Sequence, residues 1–356
     1  MNRLLGAIGS FLSRLLGGGG DDGDDTGGGA AAPRRDTRPG PSPGGPDRRA
    51  APGQNASRSA PQIASDQIVL GTFRDRSRGR LVPFRMYLPD PSPEPAPVVI
   101  FSHGLGGSRD AAPYLGHALA RAGYFGVFIQ HPGTDSSLLD GAETPQEIQQ
   151  RLAMAVMVPG NMIERFSDLP FVLDQLEKMN ATSALAGRLD LTRIGMIGHS
   201  YGARGTMAAA GQAFGFHGTR FKEPRIRAGV PLSPNVTVGP GQSLAGIYDA
   251  VDIPLLHVTG SGDGMMGDVD FDPLSRTIPY QTITAPDQYL LVLDGASHST
   301  FSGRVDDGDG GEVQEVIALL VVLFLNAHLR GDAAARDELR RDFVWRLAPE
   351  DIFEFK

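Results

Sequence analysis

Gly198-His199-Ser200-Tyr201-Gly202 stands between an apolar run, Arg193–Ile197, and a run of small residues, Ala203–Ala210. The pattern G-x-S-x-G places a serine on a sharp strand-to-helix turn, where small flanking residues let two backbones approach and the hydroxyl projects above the sheet. In a chain with 47 glycines the pentapeptide alone is weak evidence. Its value comes from the order strand, pentapeptide, helix, which these neighbours supply.

Reading outward from that turn, strand-like and helix-like runs alternate. Upstream, Gln67–Phe73 and Leu81–Leu88 read as two strands joined by a short turn. Pro97–Ser102 follows as a strand, Asp110–Ala122 as a helix, Tyr124–Gln130 as a strand and Asn161–Met179 as a helix. Downstream, Ala203–Gln212 is helical, Ala228–Leu232, Ile253–Thr259 and Tyr289–Leu293 are strands, and Gly311–His328 is a closing helix. The order implies an α/β fold with a mostly parallel central sheet, helices on both faces and an antiparallel N-terminal edge. Ligands of such sheets sit at the carboxyl ends of the strands.

A serine hydroxyl becomes a useful nucleophile when a histidine takes its proton and a carboxylate holds that histidine's tautomer. With Ser200 as nucleophile and the order serine, acid, histidine, the base has to lie downstream. Of eight histidines, only His298 and His328 follow the last acid-bearing loop. His328 falls inside the closing helix, whereas His298 lies in the loop after Tyr289–Leu293, so His298 is the expected base. Asp263, in Gly260-Ser261-Gly262-Asp263-Gly264 just beyond a strand, is the expected acid. Asp268 is the second choice, ahead of Asp270 and Asp272, which lie farther from the strand end.

The developing oxyanion needs two backbone N–H donors. One is expected from Tyr201, the residue after the nucleophile. The other is expected from Leu105 in His103-Gly104-Leu105-Gly106-Gly107, which follows the strand Pro97–Ser102. That loop lacks both the G-x-G-x-x-G spacing and the P-loop Lys-Ser/Thr pair of phosphate cradles. His103 reads as a structural hydrogen-bonding residue, and His131-Pro132-Gly133 as a strand-end turn.

The rest of the chain sets limits. There is no cysteine, which excludes disulfides, thiolate metal sites and a cysteine nucleophile. No HExxH or His-x-His pattern occurs, so neither a metal nor a cofactor is expected. A net charge of -8 argues against nucleic acid as a partner and for a small-molecule substrate. The run Val316–Leu325 is shorter than the roughly 20 residues of a membrane span, and reads as part of a buried helix.

Three regions are expected. In residues 1–16, apolar side chains from Leu4 to Leu16 recur at helical spacing opposite Arg3, Ser10, Ser13 and Arg14. This is the pattern of an amphipathic helix able to make peripheral membrane contact through residues 3–16, or of a signal-like segment. Residues 17–61, rich in Gly, Asp and Pro, read as a disordered linker. Residues 62–356 form the catalytic domain, in which 134–160 is longer than a crossover needs and reads either as a cap over the cleft or as decoration of the sheet. The compartment stays open between cytoplasm, membrane surface and export, as does the oligomeric state.

Phe101-Ser102-His103-Gly104-Leu105-Gly106-Gly107, His131-Pro132-Gly133, Gly198–Gly202, Gly260–Asp263 and Ser297-His298 together resemble the α/β-hydrolase superfamily, over about Gln67 to His328. Within it they are similar to bacterial dienelactone hydrolases and platelet-activating-factor acetylhydrolase-like esterases. The resemblance implies carboxylester hydrolysis through an acyl-enzyme, with Ser200, Asp263 and His298 matching the family triad. The chain departs from it in two places. Dienelactone hydrolases use a cysteine nucleophile, and the acetylhydrolase-like proteins have a second glycine after the elbow where this chain has Ala203. Two alternatives stay open: an amidase or peptidase with the same triad, and an inactive protein that keeps the fold for binding.

Overall fold

The computed structural model describes residues 67–236, 238, 242–265, 270–303 and 310–356. The amphipathic segment 1–16, the linker 17–61, the first residues of the 62–356 region and Asp268 all lie outside the described residues.

Nine strands form one sheet: β1 (Gln67–Asp75), β2 (Arg80–Leu88), β3 (Ala96–Ser102), β4 (Phe125–Ile129), β5 (Leu189–His199), β6 (Ile226–Leu232), β7 (Leu255–Gly262), β8 (Gln288–Ser297) and β9 (Ile352–Phe355). Their order is β1-β2-β4-β3-β5-β6-β7-β8-β9. The strands from β3 to β8 pair in parallel, and β2 runs antiparallel both to β1 and to β4. The expected mostly parallel sheet with an antiparallel N-terminal edge is therefore present. A second antiparallel edge, not expected from the sequence, closes the other side where β9 pairs with β8, Tyr289 opposite Phe355.

Why the middle strands read as unbroken apolar runs is clear from their two faces. In β3, Val98 and Ile100 pack into one core with Phe125, Val127 and Ile129 of β4, while Val99 and Phe101 pack into the other with Phe128. A strand covered on both sides has no polar face to alternate with. Helices α1 (Pro113–Arg121) and α6 (Gly310–Leu329) cover the first-named face's opposite, through Leu115, Leu119, Ile317, Leu320 and Phe324. Between α1 and α6 in the chain come α2 (Pro145–Met157), α3 (Pro159–Thr182), α4 (Tyr201–Ala210) and α5 (Ile278–Thr282). Leu169, Val172, Leu173 and Leu176 of α3 cover the other core.

Helix α6 is long and apolar enough to cross a membrane by length and composition. One side of it nevertheless carries Ile317, Leu320, Val321, Phe324 and Leu325, all buried against the sheet, as a core helix requires.

Segment 134–160 is built largely from α2, with Thr144 as N-cap: its hydroxyl accepts from the Glu147 N–H at 3.2 Å. The next helix follows immediately, Val158 serving as the C-cap of α2 and the N-cap of α3.

Candidate active site

The loops at the carboxyl ends of β3, β5, β7 and β8 bring four sequence motifs together. Ser200 follows β5 and precedes α4 with φ 54° and ψ −112°, a conformation that non-glycine residues rarely adopt. Strain of this kind persists only where the surroundings dictate it, and here they do. A Cβ on Gly198 would come within 2.2 Å of the Gly202 carbonyl oxygen, and one on Gly202 within 2.0 Å of the Ser102 oxygen. Both glycines of the pentapeptide are thus required by contact, the second because α4 presses against the end of β3.

His298 stands one residue beyond β8. Its Nε2 lies 2.9 Å from Ser200 Oγ and its Nδ1 2.7 Å from Asp263 Oδ1. A carboxylate only accepts, so Nδ1 carries the proton and Nε2 is free to accept from the serine hydroxyl. Asp263, just past β7, is fully buried. Burial, the largest influence on it, favours the neutral acid. The His298 hydrogen bond and the charge of Arg276 outweigh that influence and hold its pKa below the ordinary carboxylate value. Thr259 Oγ1 donates to Oδ2 at 2.8 Å, so both carboxylate oxygens have partners.

The structure thus brings Ser200, His298 and Asp263 into one hydrogen-bonded chain, while His328 is placed elsewhere, 3.2 Å from the Tyr289 hydroxyl. Among the described residues, neither the Leu105 nor the Tyr201 backbone N–H has a hydrogen-bond acceptor in the protein.

Several residues around this chain have no motif in the sequence to announce them. Arg276 is buried, with its Nε 2.9 Å from the Asp263 carbonyl oxygen, Nη2 2.9 Å from the Gly264 oxygen and Nη1 3.1 Å from the Ser233 oxygen. It therefore fixes the loop that carries Asp263. His199 donates from Nε2 to the His298 carbonyl oxygen at 3.1 Å. Burial and then the proximity of His298 pull its pKa down to about 3, so it is a neutral strut under His298.

Behind the glycine-rich loop lies a second buried array. Ser102 Oγ is 3.0 Å from His131 Nε2, and His131 Nδ1 is 2.8 Å from Asp168 Oδ2. Arg80 reaches both Asp168 oxygens, at 2.7 and 2.8 Å. The sequence of contacts mimics a catalytic relay, but Ser102, His131 and Asp168 are each buried, and the hydroxyl also accepts from Arg165 Nη2 at 3.1 Å. Burial, then Arg165, lowers the His131 pKa to about 4. His103 donates from Nδ1 to the Gly104 oxygen at 2.6 Å and accepts from the His131 N–H at 3.1 Å, the structural part expected of it. The turn His131-Pro132-Gly133 is thus more than a strand end, since its histidine anchors the loop.

Helix α2 lies directly over this loop: a Cβ on Gly106 would come within 2.9 Å of Leu152 Cδ2. Among the described residues, no cluster of histidine and acidic side chains could hold a metal ion.

The sheet order and the serine turn after β5 define an α/β-hydrolase fold. No family model matches the chain. The chain is 26% identical over 208 residues to a cutinase of Thermobifida alba, covering 56% of this chain and 52% of the relative. It is also 26% identical over 222 residues to a bis(hydroxyethyl) terephthalate hydrolase of Streptomyces coelicolor, covering 57% of this chain and 65% of the relative. The chain therefore spans between about half and two thirds of the length of these relatives. Both are ester hydrolases, and neither is a dienelactone hydrolase or an acetylhydrolase.

Proposed function

We propose that the protein is a serine hydrolase of carboxylic esters, acting through a covalent acyl-enzyme. The observation that carries this reading is the chain Ser200 Oγ, His298 Nε2, His298 Nδ1, Asp263 Oδ1, with steps of 2.9 and 2.7 Å, on a serine held at φ 54°.

In this mechanism Ser200 Oγ attacks the ester carbonyl carbon while its proton passes to His298 Nε2. Asp263 stabilises the imidazolium, and the N–H groups of Leu105 and Tyr201 receive the oxyanion. Collapse expels the alcohol, which takes the proton from His298. Water, activated by the same imidazole, then releases the acid. Neither metal nor cofactor takes part. Ester rather than amide is favoured because the two relatives are named for a cutinase and for the hydrolysis of a terephthalate ester.

In the same reading, residues 62–356 are the catalytic domain and 134–160 is a cap. The contact of Leu152 with the oxyanion loop supports the cap, because a helix seated there borders the bound acyl group. The likeness to acetylhydrolase-like esterases rests on the sequence motifs alone.

The test is a fluorophosphonate probe together with p-nitrophenyl acetate, butyrate and octanoate, applied to the protein and its Ser200→Ala variant. Labelling and an initial burst in the wild type, both lost in the variant, are expected. A folded wild type that neither labels nor turns over would leave the fold as a binding scaffold. Faster cleavage of an anilide than of its matched ester would make the protein an amidase.

A further inference from the structure

Arg165 projects from α3 into the space behind the glycine-rich loop, where it is only 2% exposed. Its Nη1 donates to Thr134 Oγ1 at 3.0 Å, and its Nη2 to Ser102 Oγ and to the His103 carbonyl oxygen. Thr134 in turn accepts the Gly106 N–H on its carbonyl oxygen at 2.9 Å. The guanidinium thus holds the loop on both sides of Leu105: directly at His103, and through Thr134 at Gly106. The same guanidinium carbon lies 5.3 Å from the centre of the Tyr201 ring, a cation–π contact with the residue that carries the other free N–H.

A buried cation ordinarily sits against a carboxylate, because an unpaired charge is costly to desolvate. Among the described residues no carboxylate makes a direct ion pair with Arg165. Burial, the largest influence, lowers its pKa to about 9, which leaves it a cation at neutral pH. Three neutral oxygens and an aromatic ring are its contacts. A hydrophobic residue would cost less at this position if filling space were all that was needed.

We propose that Arg165 is the positioning residue of the oxyanion hole, fixing the Leu105 N–H relative to the Tyr201 N–H by gripping the loop of the first and stacking on the ring of the second. The inference rests on the hydrolase reading above. Arginine suits the task because its planar fork donates in several fixed directions at once while its face meets a ring, which a lysine cannot reproduce.

The experiment compares wild type, Ser200→Ala, Arg165→Lys, Arg165→Met and Tyr201→Leu. Each variant that keeps Ser200 is assayed with p-nitrophenyl butyrate per active site, counted by fluorophosphonate burst, and Ser200→Ala per mole of protein. The affinity of each variant that keeps Ser200 for butylboronic acid is also measured, since its tetrahedral adduct on the serine occupies the oxyanion position. Misplacing one donor is expected to lower per-site kcat about 100-fold in Arg165→Met. A loss of about 10-fold is expected in Arg165→Lys and in Tyr201→Leu, which keeps its N–H, with KM within about twofold. Boronate affinity should fall by the same factors.

Arg165→Lys and Tyr201→Leu carry the test if Arg165→Met fails to fold. A residue that only supports the fold would reduce the number of active sites and leave per-site kcat and boronate affinity alone, which would overturn the proposal. If the wild type does not turn over, the hydrolase reading fails and the positioning role goes with it. If wild type is active, Ser200→Ala is not, and the Arg165 variants match wild type per site, the positioning role alone fails.

Discussion

Arg276 and His298 share one oxygen: Nε of the arginine lies 3.1 Å from Asp263 Oδ1 and Nδ1 of the histidine 2.7 Å from the same atom. The His298 N–H donates to Oδ1 and the Arg276 cation faces the same atom while its Nε–H donates to the Asp263 carbonyl oxygen, whereas Oδ2 faces a hydroxyl, Thr259 Oγ1, that can donate or accept. The asymmetry fixes how the acid can be replaced.

In Asp263→Asn the amide has to present its oxygen to the His298 N–H and the Arg276 cation and its NH2 to Thr259, since the reverse would point a partly positive NH2 at the guanidinium. The His298 tautomer is then preserved, and only the charge is lost. An asparagine that forces the wrong tautomer costs about 10⁴ in kcat. Here the loss of stabilisation for the imidazolium alone is expected to lower kcat/KM by about 100-fold. A fall of about 10⁴ in a folded variant would show that the amide had flipped. Asp268→Asn should leave kcat/KM within about twofold, and an equal loss there would move the acid to Asp268.

Acid sensitivity should begin well above the carboxylate range. His103, His131, His199 and His257 are buried and neutral, with pKa values lowered chiefly by burial, to about 4, 3 and 4 for His131, His199 and His257. Unfolded, each takes up a proton near its ordinary value of 6.5. Between that value and the folded one the unfolded chain binds more protons, so stability falls as pH falls, by up to about 1.4 kcal/mol per pH unit for each group. Asp75, Asp168 and Asp263 have lowered pKa values, and their contribution is lost only below about pH 4. Urea unfolding from pH 7.5 to 4.5 reads this slope. His257→Gln, whose ring lies 3.4 Å from Gln288 and away from the triad, should shed about one proton's worth of it. An unchanged slope would mean that His257 is protonated in the folded state.

Gly202→Ala sets two effects against each other. Alanine is favoured over glycine within a helix by about 1 kcal/mol, but its Cβ would meet the Ser102 oxygen at 2.0 Å, and that atom is backbone at the end of β3. Sterics should win, since overpacking costs about 1–3 kcal/mol or more. Thermal unfolding is expected to shift down, with loss of burst amplitude. A variant as stable as wild type would mean that α4 can move off the sheet.

The apolar blocks of β3 to β8 and the serine turn could be read from the chain because each is local: five to seven consecutive residues carry the pattern. Asp263 and His298 followed from their positions just beyond strands. Strand β9 escaped notice since Ile352–Phe355 is only four residues long and becomes a strand through pairing with Tyr289 to Val292. Arg165, Asp168 and Arg276 were equally invisible. The partners of Arg165 lie 31 to 63 positions away, and those of Arg276 reach 43 positions away, so no local spacing marks either residue. His131 ended a strand visibly, but only packing reveals that its ring is buried between Ser102 and Asp168.

The cap is best tested by a point change. Deleting α2 would pull on α3 through their shared residue Val158, and α3 carries Arg165 and Asp168, so lost activity would not distinguish a cap from a damaged oxyanion loop. Leu152 is buried, with Cδ2 against the open side of Gly106, whose φ of +70° excludes most side chains there. Leu152→Ala removes three carbons next to the oxyanion loop and leaves its hydrogen bonds in place. If α2 borders the acyl group, the space released should favour longer chains. The octanoate-to-butyrate ratio of kcat/KM should then rise about 10-fold, the range one or two methylenes command in an apolar pocket. Stability should fall by about 2–5 kcal/mol at most, as for a truncated core leucine. An unchanged ratio in a folded variant would reduce α2 to a decoration of the sheet, because a wall of the pocket cannot lose that volume without altering which chains fit.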